Sequence, residues 1–301
     1  MNESPPTPVC YRHTSRETWV RCVRCNRPIC PDCMHDAAVG HQCPECVAEG
    51  RRTQRPVRTA FGGGAAGQAG YVTKALIGIN VLVALLAAGL GGLGAVAGGN
   101  WGGLLGGATE LHLYGGMLGY GVYEQDGPLH GVAFGESYRL LTSMFLHYGL
   151  LHLLVNMWAL WIIGRTLEAA LGPIRFLALY LVAGLGGSVA VYYFQPTNLT
   201  AGASGAIFGL FAALFVILRR LGRDTSSVIP ILVINLVITF TVPGISIAGH
   251  LGGLVTGAVT AVALAYAPRR NRALFQAGGT AVILAVLLLL TALRTELLFL
   301  A

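Results

Sequence analysis

The chain has 301 residues, of which 54% are hydrophobic and only 11% charged, and its mean hydropathy is +0.64. Soluble globular chains carry about 25% charged residues, so this composition excludes a water-solvated globule and calls for lipid around most of the chain. The net charge of +7, from 20 Lys and Arg against 13 Asp and Glu, falls in short loops between apolar runs. It therefore reads as membrane topology, and nucleic acid is not an expected partner.

Residues 1–50 form a polar head in which ligand-type residues fall as Cys10-x2-His13, Cys22-x2-Cys25, Cys30-x2-Cys33 and Cys43-x2-Cys46, using all seven Cys. A two-residue spacer lets both side chains of a tight turn grip one tetrahedral metal. Eight such ligands predict two structural zinc ions, and about 40 residues with almost no apolar core need them to fold. Disulfides are the competing use, and a reducing cytoplasmic location argues against them. The spacing resembles the B-box type of zinc finger. That resemblance implies a cross-brace, with Cys10, His13, Cys30 and Cys33 on one ion and Cys22, Cys25, Cys43 and Cys46 on the other. Sequence alone leaves sequential pairing open, and also substitution of His35 or His41 for one thiolate. With no general base or open metal position, the head is expected to be structural or to bind a cytoplasmic protein partner. No apolar run precedes it, so no cleavable signal peptide is expected.

Residues 51–72 carry four Arg and the run Phe61-Gly62-Gly63-Gly64-Ala65-Ala66-Gly67, which reads as a flexible basic, Gly-rich linker. The remainder, 73–301, is a membrane domain. Apolar runs of spanning length fall at about 73–97, 150–170, 174–195, 202–221, 227–243, 247–267 and 276–298, the fifth being short. The expected fold class is thus an all-α polytopic membrane protein with seven transmembrane helices. Basic residues resist translocation. With the N-terminus inside, the inner flanks hold Arg51, Arg52, Arg55, Arg58, Lys74, Arg165, Arg175, Arg219, Arg220, Arg223, Arg269, Arg270 and Arg272, against Arg139 and Arg294 outside. This topology puts the head in the cytoplasm and the C-terminus outside.

The same topology gives four polar residues one depth. His152 and Asn156, four apart and on one helical face, lie in the outer third of the second span, while Ser204 and His250 begin the fourth and sixth. An ionisable side chain within a span is expensive and by default functional. Serine becomes a nucleophile when a base within hydrogen-bond reach takes its proton. Asn amide, His N–H and backbone N–H groups can stabilise an oxyanion, and a serine in the first turn of a helix adds the positive end of its dipole. Between Glu168 and Glu296 the one acidic residue is Asp224, in an inner loop. A Ser/His dyad is therefore expected rather than a triad, and no carboxylate is available for a proton-coupled carrier. His147 is expected to tie down the first outer loop, and His112 and His130 to be solvated loop residues.

These residues resemble a rhomboid intramembrane serine protease. Gly202-Ala203-Ser204-Gly205 is similar to that family's G-x-S-G motif, His147 to Asn156 to its H-x(4)-H-x(3)-N element, and His250 to Gly257 to its H-x-x-G-x-x-x-G helix. The resemblance implies Ser204 as nucleophile and His250 as general base, with His152, Asn156 and the Ser204 N–H as oxyanion hole. It implies a six-helix core around an outward-opening wet cavity, here with a seventh C-terminal helix. It implies cleavage of transmembrane substrates near their outer end, with no catalytic cofactor, and it makes Phe208 the aromatic that stacks on the base. The chain departs from the pattern at Gly249, where Ala is usual, and at Tyr138-Arg139, where the family has Trp-Arg. The competing reading is a catalytically inactive rhomboid-like protein that binds membrane clients. The Gly- and Ala-rich composition points to a bacterial inner membrane.

Overall fold

The computed structural model describes residues 7–54, 58–64, 69–92, 107–123 and 127–300. It divides into two compact units, Met1–Pro56 and Val57–Ala301.

In the first unit a two-stranded antiparallel hairpin, β1 (His35–Asp36) with β2 (His41–Gln42), precedes helix α1 (Pro44–Thr53). The Cys43 thiol caps this helix by accepting the Cys46 N–H at 3.4 Å. Its buried cluster is Cys10, Cys22, Ile29, Cys30, Cys33, Cys43 and Cys46. One isoleucine among six thiols buries too little apolar surface to hold about 50 residues together.

The second unit is helical. Tyr71–Gly91 forms α2, Glu110–Gly115 α3, Arg139–Thr142 α4 and Gly149–Leu171 α5, the last with a π-helical turn over Leu160–Gly164. Pro173–Phe194 forms α6, Ser204–Arg220 α7, Val228–Thr241 α8, Ile247–Ala265 α9 and Arg272–Leu300 α10. Each expected span meets one of the long apolar helices, residues 93–97 of the first lying outside those described. Among the described residues five helices, α2, α5, α6, α9 and α10, are long and apolar enough to cross a membrane, which makes this a multi-pass membrane protein.

The other two, at the fourth and fifth expected spans, are shorter, the fifth being the one the sequence reads as short. Helix α7 has 17 residues and α8 has 14, the latter about 21 Å against a hydrocarbon thickness of about 30 Å. For α7 the reason is its place between α6 and α9: Ala206 to Ala213 and Ile217 are all buried, so protein rather than lipid sets its length. Helix α8 is peripheral. It exposes Ile229, Val233, Ile234, Val237 and Phe240 and buries Val228 and Thr239.

Small residues let α7 and α9 touch backbone to backbone. A Cβ on Gly253 would lie 1.9 Å from the Gly205 carbonyl oxygen, and one on Gly257 would lie 2.3 Å from the Gly209 Cα. The i, i+4 spacing of both pairs repeats the contact one turn on.

Two sequence expectations fail in the connections. The linker is not bare coil where it is described: residues 51–53 end α1, and Phe61 is buried in the core of the second unit. Residues 65–67 of its Gly-rich run lie outside those described. Nor is His112 solvated. It is fully buried in α3, accepts the Thr109 N–H at Nδ1 (3.2 Å) and so carries its proton on Nε2, which donates to the His147 carbonyl at 3.0 Å. His130 stacks on Tyr123 with centroids 4.5 Å apart and bonds Glu136 at 2.9 Å. The organiser of this loop is Arg139, fully buried, which donates to Glu136 (2.6 Å), to the carbonyls of Leu113 (2.6 Å) and Gly116 (2.9 Å) and to the Tyr123 hydroxyl (2.7 Å). Burial resists ionisation of Glu136, but bonds from His130, Arg139 and the Gly131 N–H outweigh it and hold its carboxyl below the usual carboxylate range.

Candidate active site

Ser204 opens α7 because the chain turns sharply just before it. Gly202 has φ +141°, donates its N–H to the Ser143 carbonyl at 2.9 Å, and has no room for a side chain: a Cβ would lie 2.7 Å from His152 Cε1 and 2.9 Å from His152 Nε2. The next N–H, of Ala203, points at His147 Nε2 from 3.5 Å. His147 thus fixes the strand that carries the serine while its carbonyl holds His112.

His250 is the fourth residue of α9, and the start of that helix is pinned. The Ser246 hydroxyl accepts the Gly249 N–H (3.1 Å) and donates to Gln195 Oε1 (2.6 Å), which also accepts the Ala248 N–H (3.3 Å). With the glycine seam below, this brings His250 Nε2 to 2.8 Å from Ser204 Oγ. Phe208, one turn after Ser204, stacks on the imidazole with centroids 4.0 Å apart and planes 18° apart.

The third partner was not foreseen from sequence. Thr239 of α8 lies 2.8 Å from His250 Nδ1, and its hydroxyl is also 2.7 Å from the Asn235 carbonyl. A carbonyl only accepts, and a hydroxyl has one proton, so that proton goes to Asn235 and the Thr239 oxygen accepts from Nδ1–H. Nε2 of the neutral ring is then left to accept the Ser204 proton.

His152 lines the cavity beside Gly202 and Ser204, its ring 5.0 Å from that of His147. Asn156 is buried but is not among the cavity-lining residues; its Nδ2 donates to the His152 carbonyl at 2.9 Å. The cavity is about 600 Å³ and is walled largely by apolar side chains, among them Met144, Leu151, Val155, Val191 and Ile238. Among the described residues no Asp or Glu lines it.

Residues 135–267 match the Rhomboid domain family, and that stretch holds Ser204, His250, His152 and Asn156. Over 141 residues the chain is 44% identical to Rhomboid protease GluP of Bacillus subtilis (strain 168), covering 44% of this chain and 27% of that one. Over 133 residues it is 39% identical to YdcA of the same strain, covering 67% of that protein. This chain belongs to the rhomboid family. RHOMBOID-like protein 4 of Arabidopsis thaliana is 37% identical over 128 residues, covering 32% of its length. The chain therefore spans about a quarter to two thirds of these relatives. The rhomboid match begins at residue 135 and stops at residue 267, leaving the Cys-rich head and α10 outside it.

In the head, the ligand atoms of Cys10, His13, Cys30 and Cys33 lie within 4.8 Å of one another, as do those of Cys22, Cys25, Cys43 and Cys46. The pairing is thus crossed, not sequential, and neither His35 nor His41 joins a cluster among the described residues. His13 Nδ1 is 3.2 Å from Cys30 Sγ, and Cys25 Sγ is 3.7 Å from Cys43 Sγ. Zinc–sulfur bonds of about 2.3 Å in a tetrahedron put neighbouring sulfurs about 3.8 Å apart, so both clusters are able to hold a zinc ion.

Proposed function

We propose that this rhomboid is an intramembrane serine endopeptidase working through a Ser204/His250 dyad. The observation that carries the reading is the 2.8 Å contact between His250 Nε2 and Ser204 Oγ, with Nε2 free to accept. In the proposed cycle Ser204 Oγ attacks the scissile carbonyl carbon while Nε2 takes its proton. The imidazolium formed shares its Nδ1–H with Thr239 and its face with Phe208. The oxyanion is received by the Ser204 N–H at the positive end of α7, by the His152 ring N–H and by the Asn156 amide, which gives up its bond to the His152 carbonyl. One such donor contributes roughly 10²–10³ in rate. The imidazolium then protonates the departing amine, and water in the cavity hydrolyses the acyl-enzyme by the same proton route in reverse.

The substrates in this reading are transmembrane proteins, cut near their outer ends. The distribution of Arg and Lys supports a multi-pass placement in a bacterial inner membrane, with the head, residues 1–50, in the cytoplasm and the C-terminus outside. We assign the head two structural zinc ions, held by Cys10, His13, Cys30 and Cys33 and by Cys22, Cys25, Cys43 and Cys46, and a role as a docking module for a cytoplasmic protein.

Labelling of the detergent-purified protein by a serine-reactive fluorophosphonate tests the assignment. Wild type is expected to label, and Ser204→Ala and His250→Ala to lose labelling while remaining folded. A folded, monodisperse wild type that never labels would replace this reading with the inactive client-binding one.

A further inference from the structure

Three arginines converge where α6 and α10 begin. Helix α6 runs about 33 Å from there to Gln195, which holds the start of α9 beside His250, so this is the end of the bundle remote from Ser204. Gly62 is the hub. Its φ is +83°, and a Cβ on it would lie 3.5 Å from Arg272 Cδ, 4.0 Å from Arg272 Nη1 and 3.9 Å from Arg175 Nη2, while its carbonyl accepts from Arg58 Nη1 at 3.3 Å.

The arrangement is held from behind. Arg272 Nη1 donates to the Ala60 carbonyl (2.9 Å), and Arg175 Nε donates to Gln276 Oε1 (2.6 Å). Gln276 is buried and donates in turn to the carbonyls of Phe61 (3.1 Å) and Leu264 (2.7 Å). Each guanidinium has five N–H donors, of which these bonds among the described residues use one in each. Among the described residues none of the three has a carboxylate within 4.0 Å; the ion pairs of this unit are those of Glu136 with His130 and Arg139. The N-termini of α6 and α10 add further positive potential at the same place. Three cations gathered around Gly62, with no carboxylate partner among the described residues, suit an anion with several acceptor oxygens.

We propose that Arg58, Arg175 and Arg272 bind the phosphate group of an anionic phospholipid. Ile174, Leu274 and Phe275, next in sequence to the site, are 82%, 71% and 54% exposed and give acyl chains an apolar surface beside it. That apolar rim favours a lipid headgroup over free phosphate.

The test is native mass spectrometry of the full-length protein from detergent, titrated with phosphatidylglycerol and with phosphatidylcholine of the same chains, with and without inorganic phosphate. Wild type is expected to bind one phosphatidylglycerol saturably and in preference to phosphatidylcholine. Arg58→Gln with Arg272→Gln is expected to weaken binding roughly thirtyfold, from a factor of about five per basic residue. The same pair changed to Lys keeps the charge but loses the planar fork, so it is expected to bind between wild type and the Gln pair, and if the Gln pair fails to fold, a Lys pair that binds like wild type would overturn the guanidinium assignment. Equal weakening by Arg219→Gln with Arg223→Gln would reduce the site to diffuse surface charge and overturn the proposal. Absence of preference for phosphatidylglycerol would do the same, and displacement of the lipid by millimolar phosphate would reassign the site to the free anion.

Discussion

Thr239 gives His250 its direction. Its oxygen is committed to accepting because its proton is taken by Asn235, so it holds the imidazole in the tautomer the dyad needs, a task that a carboxylate performs in a triad. Thr239→Val keeps the shape and removes the acceptor. On the proposed mechanism it is expected to lower kcat about fivefold, the worth of one hydrogen bond of roughly 1 kcal/mol, with KM nearly unchanged. Thr239→Ser is expected to restore most of the rate. If both variants lose thermal stability alike and kcat is untouched, Thr239 is only packing. Sequence did not point to this residue, for a physical reason. A threonine in an apolar helix ordinarily bonds its own i−4 carbonyl, and this one does so; that its lone pair also meets His250 depends on where α8 lies.

The contact of α7 with α9 determines whether Ser204 and His250 meet. Since a Cβ on Gly253 would sit 1.9 Å from the Gly205 carbonyl, Gly253→Ala must push the helices apart. The expected cost is about 1–3 kcal/mol of stability and, because a displacement near 1 Å misplaces the dyad, about a hundredfold in activity. Gly278→Ala in α10 meets nothing within 4 Å and is the control, expected to leave both unchanged. Equal effects of the two substitutions, measured by thermal melting and substrate cleavage, would refute the close-contact argument. This seam was legible in the sequence, because Gly253 and Gly257 repeat at helical spacing beside a lone histidine. The long helices were legible too, since only spanning segments are that apolar for that long. The loop between α2 and α5 was not: His112 looks like a solvated residue in a Gly-rich stretch, Arg139 stands out only by its place in a family pair, and only the folded loop reveals the carbonyls that hold them. Asn156 bonds the His152 carbonyl and is not among the cavity-lining residues, the outcome of a local competition that spacing does not decide.

The whole molecule joins two units that hold themselves together by different means. The membrane unit has a continuous core running from Phe61 through Leu160, Tyr180 and Leu210 to Leu264, and its helices satisfy their own backbone groups, as lipid requires. The head has thiols where a core would be, so on the proposed zinc assignment its folding free energy comes from metal. Bringing four thiolates, or three with an imidazole, within 4.8 Å without a cation is costly through mutual repulsion. Removing zinc with a strong chelator is therefore expected to release two ions per chain and to open the head to proteolysis over residues 7–54. Fluorophosphonate labelling of Ser204 is expected to stay within about twofold, since among the described residues both clusters of metal-ligand groups lie in the head. Cys22→Ser is expected to lose one ion and Cys10→Ser the other, each still cleaved in the head. Release of fewer than two ions would remove zinc from one cluster. Loss of labelling on chelation, with the membrane helices still folded by circular dichroism, would mean instead that the head controls the membrane unit, because both ligand clusters among the described residues lie in the head.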